Sequence, residues 1–210
     1  LFSFGGISRK PVNETFTVAT DIGNPAISGG FYYDKNFQSW LLTASGTNMW
    51  GNRDEFFFLS RTIVEDCIFS ANVVFRGVGT DPHRKAGVMF RASLDDDSPY
   101  VDVAVHGDGL TSLQYRSEKG GKTREVTTQV KAPGFIQLEK SGNTYIMRVS
   151  KDQTPLDEVA SVTVSLGEEI HAGLFVCSHN AQVTEQALFT NVRIDIPAEV
   201  RGGEQAPPSP

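Results

Sequence analysis

The 210-residue chain is short of cysteine, basic excess, long hydrophobic runs and helical periodicity, and each shortage excludes something. Nineteen Lys and Arg stand against 25 Asp and Glu, a net charge of −6 at pH 7, and no basic stripe or tail stands out. Nucleic acid is therefore not an expected partner. Uninterrupted apolar runs reach only about five residues, against the roughly 20 that a membrane-crossing helix needs. No charged segment followed by an apolar core opens the chain, so an exported form would be one whose signal is already gone. Cys67 and Cys177 each continue an apolar alternation and are expected to be small, buried, free thiols, although sequence leaves a disulfide between them open. Cysteine usage thus does not fix a compartment. No stretch of a dozen residues or more repeats its apolar positions every 3.6 residues, which argues against amphipathic helices.

Catalytic signatures are missing as well. There is no Gly-x-Ser-x-Gly elbow, no Gly-x-x-x-x-Gly-Lys phosphate loop, no Gly-x-Gly-x-x-Gly and no His-Glu-x-x-His. A glycosidase built on one strand would carry acids two residues apart, as in Glu-x-Asp-x-x-Glu, so that both face the scissile bond. The nearest string, 193–199, has Arg193 where the first acid belongs and Pro197 where the strand should continue. Asp54-Glu55 and Glu65-Asp66 are adjacent pairs, whose side chains point to opposite faces of a strand.

What is present is β-forming. The chain is 39% hydrophobic, enough for a full core, with 20 Gly and 14 Phe. Strand-like runs recur at 15–19, 30–33, 39–44, 55–60, 67–76, 86–91, 100–106, 112–116, 125–129, 135–140, 144–150, 161–165, 172–178 and 187–194. Turn clusters rich in Gly, Asp, Asn and Pro separate them. This reads as all-β, a two-sheet antiparallel jelly-roll sandwich of about 14 strands. Residues 1–13 form a lead-in, 14–197 the domain, and the Pro/Gly-rich 198–210 a linker or tail.

Side-chain alternation over three consecutive strands points to a functional face. Ala86, Val88 and Phe90 share one face of their strand, and Lys85, Met89 and Arg91 the other. Three valines of 100–106 oppose Tyr100, Asp102 and His106, while Leu113 and Tyr115 oppose Gln114 and Arg116. If these strands are antiparallel neighbours, Arg91, Asp102, His106, Gln114 and Arg116 gather on one polar face. The plain expectation is a solvated outer face. The sharper one is a binding face for a polyhydroxylated ligand: two planar guanidinium forks, acceptors from Asp102 and Gln114, and a ring from Tyr100 or Trp50 to stack on a sugar. Cys177-Ser178-His179 places a thiol and an imidazole on one face, although Cys177 reads first as buried structure. A cation is a further expectation: Asp21, just after the first strand, and Asp195, closing the last, could share a structural Ca²⁺ with a backbone carbonyl if the termini lie side by side.

The motifs Thr20-Asp21-Ile22-Gly23, Trp50-Gly51-Asn52-Arg53-Asp54-Glu55-Phe56, Lys85-Ala86-Gly87-Val88-Met89-Phe90-Arg91, Gln114-Tyr115-Arg116, Pro133-Gly134-Phe135-Ile136-Gln137-Leu138, Gly173-Leu174-Phe175-Val176-Cys177-Ser178-His179 and Ala187-Leu188-Phe189-Thr190-Asn191-Val192 fall in the order expected of one family. Together, over roughly residues 15–196, they resemble the domain of unknown function 1349 group of the concanavalin A-like lectin/glucanase superfamily. The resemblance implies the same jelly roll, often appended to larger secreted or periplasmic proteins, and a Pro-rich tail would suit a link to such a neighbour. It brings no catalytic residues. It places Arg91, Arg116, Trp50, Asp54, Ser178 and His179 inside family-like motifs, as binding candidates or as structural residues, with Asp54 able to pair with an arginine. Relatives read Ser-x-Asp-Gly and then Trp after the strand at 145–149; residues 150–155 here lack both the Gly and the Trp. The expectation is a non-catalytic, lectin-like carbohydrate-binding module of a secreted or periplasmic protein. The alternatives are a protein-interaction or spacer domain, or a glycosidase with unconventional carboxylates. The expected ligand surface is Arg91, Arg116, Gln114, Asp102, His106, Tyr100, Trp50, Asp54 and His179, with Asp21 and Asp195 for the metal.

Overall fold

The structure, a computed structural model, describes residues 15–151, 156 and 158–197. The lead-in 1–13, part of the departing loop (152–155) and the tail 198–210 lie outside the described residues. Fourteen strands form in chain order: β1 (Val18–Ile22), β2 (Gly30–Asp34), β3 (Ser39–Ala44), β4 (Phe56–Ile63), β5 (Cys67–Arg76), β6 (Lys85–Arg91), β7 (Tyr100–His106), β8 (Thr111–Arg116), β9 (Arg124–Thr127), β10 (Phe135–Ser141), β11 (Thr144–Ser150), β12 (Glu158–Thr163), β13 (Ile170–Cys177) and β14 (Glu185–Asp195). They make two seven-stranded sheets, ordered β1-β4-β13-β6-β7-β8-β9 and β12-β11-β10-β5-β14-β3-β2. Every neighbouring pair is antiparallel. We call them the first and second sheet.

The alternation read from sequence decides what lies between them. Val88, Phe90, Val101, Val103 and Leu113 of the first sheet meet Trp40, Leu42, Phe69, Leu138, Met147 and Phe189 of the second in one core. Cys67 belongs to this core, and both cysteines are buried and free. Chain-adjacent strands pair in the meanders β6–β7–β8–β9 and β10–β11–β12, whereas β4–β5, β5–β6 and β13–β14 cross from sheet to sheet. That alternation of local pairing and crossing is the jelly-roll arrangement. Near the end of β14 the register with β5 shifts between Thr190 and Arg193, where Asn191 has φ 51°. The result is a bulge.

A second, smaller core lies on the outer side of the first sheet. Ile22, Phe56, Phe58, Met89, Tyr100, Ala104, Phe175 and Cys177 pack there with Met49, which comes from the β3–β4 connection. That connection folds back over the sheet. At its start Gly46 has φ +125°, and a Cβ there would lie 2.0 Å from the Glu55 carbonyl oxygen, so the turn needs glycine.

Candidate functional site

The structure brings the sequence-predicted polar residues together, and then closes them in. Register places Arg91 opposite Tyr100 and Tyr100 opposite Arg116, Asp102 opposite Gln114, and Lys85 opposite His106. All share the outer face of the first sheet, as the alternation demands. The expectation of a solvated face is corrected, because Arg91, Tyr100, Asp102, Gln114 and Arg116 are 0% exposed. The physical reason is the β3–β4 connection, which lays Asn48, Met49 and Asp54 across this side.

At one end of the face most of the polar groups satisfy each other, Arg91 Nε being the exception. Arg116 grips Asp54 with both terminal nitrogens, Nη2 to Oδ1 at 2.7 Å and Nη1 to Oδ2 at 2.7 Å. Arg91 Nη1 donates to the same Oδ2 at 2.8 Å, and its Nη2 donates to the Asp95 carbonyl. The rest of the Arg116 fork donates to the carbonyls of Gly121, Ser98 and Gly51. Tyr100 lies beneath, with Arg116 Cζ 5.1 Å from its ring centre, and its hydroxyl donates to the Met49 carbonyl at 2.7 Å. One carboxylate thus sits between two arginines, and through the arginines' further bonds to carbonyls the cluster ties the β3–β4, β6–β7 and β8–β9 connections to the sheet. These guanidinium forks hold the protein's own groups, and the Tyr100 ring has no free surface on which to stack a sugar. Trp50 is outside this network, 40% exposed at the rim.

Toward the other end the polar groups are not satisfied. Among the described residues Gln114 Oε1, Ser112 Oγ and His106 Nδ1 have no hydrogen-bond partner, and no side chain donates to the Asp102 carboxylate, which faces the Gln114 backbone amide. Burial pushes the Asp102 carboxyl well above the usual carboxylate range, although Lys85 pulls it back. Burial also lowers the Lys85 ammonium, and, helped by the Lys85 charge, lowers His106 to about 4. His83 and His179 flank this end, their ring centres 6.1 Å from His106 and 5.6 Å from His83 respectively, and His179 Nδ1 lies 3.3 Å from Asp81 Oδ2. Cys177 Sγ, buried nearby, donates to the Glu55 carbonyl, and its thiol is pushed up to about 11 by burial.

The expected cation cage is not assembled. Asp21 pairs in register with Phe57 at the start of β4, and Asp195 with Ile68 just beyond the turn that follows β4. Six residues of strand, roughly 20 Å, therefore separate them. Asp21 accepts from the Gly29 amide at 3.0 Å, and Asp195 lies 3.4 Å from Arg193. Among the described residues no group of three or more His, Cys, Asp or Glu side chains is placed to hold a metal ion.

The open ground lies on the second sheet, which sequence reasoning passed over. Tyr32 pairs with Leu41, Leu41 with Leu188 and Leu188 with Val74, so four adjacent strands present one apolar row on the outer face. Three strand spacings make it about 14 Å long. Tyr32 is 64% exposed, Val74 56%, and Phe37, in the β2–β3 turn, 78%. Gln186 and Arg76 flank the row on one side, Asp34, Ser39 and Thr190 on the other, around a hollow of about 580 Å³. The sequence held half of this signal, since Tyr32 alternates against core-facing Phe31 and Tyr33. The row itself needs the β2-β3-β14-β5 order, which joins strands far apart in the chain.

Two sheets of this order, with this topology, define a concanavalin A-like jelly-roll sandwich, the fold of glucanases, lectins and carbohydrate-binding modules alike. Solved structures show the same likeness. A functionally unknown protein from Saccharomyces cerevisiae superposes with a TM-score of 0.62 at 16% identity, over 86% of this chain and 97% of its own. The carbohydrate-binding module CBM66 from Bacillus subtilis gives 0.51 at 16% identity, over 84% and 94%. The Bacillus licheniformis beta-glucanase gives 0.51 at 12%, over 93% and 100%. No family model matches the chain, and neither does any curated protein.

Proposed function

We propose that this protein is a non-catalytic carbohydrate-binding module, in the line of the domain of unknown function 1349 group, serving a larger secreted or periplasmic protein. The observation that carries the reading is the platform on the second sheet. Exposed aromatic rings at Tyr32 and Phe37 offer flat apolar surface to a sugar ring's C–H face. The polar rims at Arg76, Gln186 and Asp34 offer donors and acceptors to its hydroxyls. A site of this kind works by stacking and edge hydrogen bonds on a surface already formed, without moving the backbone. The non-catalytic part rests on the carboxyls of the first sheet: Asp54 is held by two arginines, and Asp102 is closed to solvent.

A protein-interaction role is the second reading, and the continuous apolar row favours it, since exposed patches of this kind also mark protein contacts. A glycan-array screen of the purified protein, repeated with Tyr32→Ala and Phe37→Ala, separates the two. Each substitution is expected to weaken saccharide binding about tenfold, as loss of one stacked ring does. A blank array sinks the carbohydrate reading and leaves the interaction role. Binding that survives both substitutions keeps the function and moves the site.

A further inference from the structure

The outer face of the second sheet carries a pattern more particular than an apolar row with polar neighbours. Three rows cross the same four strands. The middle row is Tyr32, Leu41, Leu188 and Val74. On one side of it Arg76 pairs with Gln186 and Gln186 with Thr43; on the other Asn72 pairs with Thr190 and Ser39 with Asp34. The chain neighbours Phe31, Leu42, Ala187 and Phe75 belong to the core, so all three rows face outward. In cross-section the face is polar, apolar, polar. Strands lie about 4.8 Å apart and the rows, two residues apart along each strand, about 7 Å.

Bonds within the rows hold this pattern in place. Gln186 Nε2 donates to Thr43 Oγ1 at 2.9 Å. The amides of Asn36 and Phe37 donate to Asp34 Oδ1 at 2.9 and 3.3 Å, which fixes the turn that carries Phe37. The hollow of about 580 Å³ extends over all three rows, from Tyr32 and Asp34 on β2 to Arg76 on β5. Charge on the face is sparse and balanced, since Arg76 and Asp34 stand at diagonally opposite corners. A charged chain would lose at one corner what it gained at the other.

The complementary ligand is a ribbon that is apolar on its flat side, hydroxylated along both edges, uncharged, and repeating at about the strand spacing. A β-1,4-linked pyranose chain with equatorial hydroxyls has this form. Equatorial links keep it straight, its axial C–H groups turn to the two faces, its hydroxyls point sideways, and its residue repeat is close to the distance between strands. We propose, resting on the carbohydrate-binding reading above, that the platform binds a neutral, unbranched β-1,4-linked polysaccharide lying across the strands, with about one sugar residue over each of β2, β3, β14 and β5. Tyr32 and Phe37 stack at one end, and Leu41, Leu188 and Val74 carry the residues that follow. Gln186 and Arg76 meet the hydroxyls of one edge, Ser39, Thr190 and Asp34 those of the other. An α-1,4-linked chain coils and touches the row at only one or two residues.

Calorimetry on the purified protein tests this with cello-, xylo- and chito-oligosaccharides of two to six residues, against maltohexaose. In at least one series affinity is expected to rise with length up to about four residues and then level off, and maltohexaose is expected to bind at least about tenfold more weakly than that hexaose. Val74, 56% exposed, lies at the far end of the row from Tyr32. Val74→Asp is expected to weaken the hexaose about tenfold and leave the trisaccharide, which fits between Tyr32 and Leu188, unchanged; Tyr32→Ala weakens both. Added salt leaves the hexaose affinity unchanged. Circular dichroism checks the variants, and if Val74→Asp does not fold, the wild-type length series decides. Affinity that does not rise with length, maltohexaose bound as tightly, normal hexaose binding by folded Val74→Asp, or binding lost in salt overturns this inference. Binding of other saccharides alone, weakened by Tyr32→Ala, overturns it and keeps the carbohydrate reading. A protein that binds no saccharide overturns both.

Discussion

Replacing Asp54 with alanine removes one carboxylate from between two arginines, and the structure allows the cost to be sized. Three charge-assisted bonds of 2.7–2.8 Å are lost, among three side chains that are all 0% exposed. Breaking a buried pair by deleting one partner costs about 3–5 kcal/mol, because the remaining charge has no water to return to. Here two like charges remain. Carbonyl acceptors from Asp95, Ser98, Gly51 and Gly121 still contact them, which keeps the penalty within that range, near its upper end. For a domain of this size each kcal/mol shifts the melting temperature by roughly 2–4 °C, so a fall of roughly 8–20 °C is expected. Asp54→Asn keeps an acceptor but not the charge and should fall in between. Urea and thermal unfolding followed by tryptophan fluorescence measure this, with Trp40, 2% exposed, as a core reporter. Arg53→Ala is the control: Arg53 meets Asp96 at 2.7 Å, but its side chain is 69% exposed, and the variant should melt with the wild type. If Asp54→Ala also melts within a degree or two of the wild type, the triad is not the clamp described here.

Two further expectations follow from burial. His106 is held near 4 in the folded protein, below its ordinary 6.5, so the unfolded chain binds the extra proton first. The stability this group contributes is complete above pH 6.5 and is lost as pH falls toward 4, about 3 kcal/mol in all. The stability difference between wild type and His106→Gln should therefore change by about that amount across this window, and a pH-independent difference would refute it. Cys67, pushed up to about 12, and Cys177, pushed up to about 11, are both buried. In native protein both should resist a thiol reagent at pH 8 and in urea both should react, which mass spectrometry reads directly; fast native labelling of either would contradict its burial.

Fold and face were legible because each rests on a local rule. Period-two alternation located all fourteen strands, with edges off by a few residues, as in β1, read at 15–19 and found at Val18–Ile22. It also sorted Arg91, Asp102, His106, Gln114 and Arg116 onto one side. Alternation says which way a side chain points, but not what lies above it. The covering piece, the β3–β4 connection, has no period and signals itself only through Gly46, Asn48 and Asp54, none informative alone. The Asp21–Asp195 cage failed for a related reason, since it assumed where two strands end relative to each other, and that is set by register. The Tyr32–Leu41–Leu188–Val74 row needed three registers at once.

The second small core on the outer side of the first sheet has a dynamic consequence. Strands β6, β7 and β13 are shielded on both faces and flanked by partners on both edges, so their amides can reach water only when the whole fold opens. Strands β2 and β3 carry a bare outer face, and β2 is a sheet edge. Hydrogen exchange would therefore divide the molecule unevenly: a slow block centred on the buried polar face, and a faster margin that carries the aromatic platform. The surface proposed to meet a ligand thus lies on the margin that exchanges first, while the buried polar face behind it holds the frame.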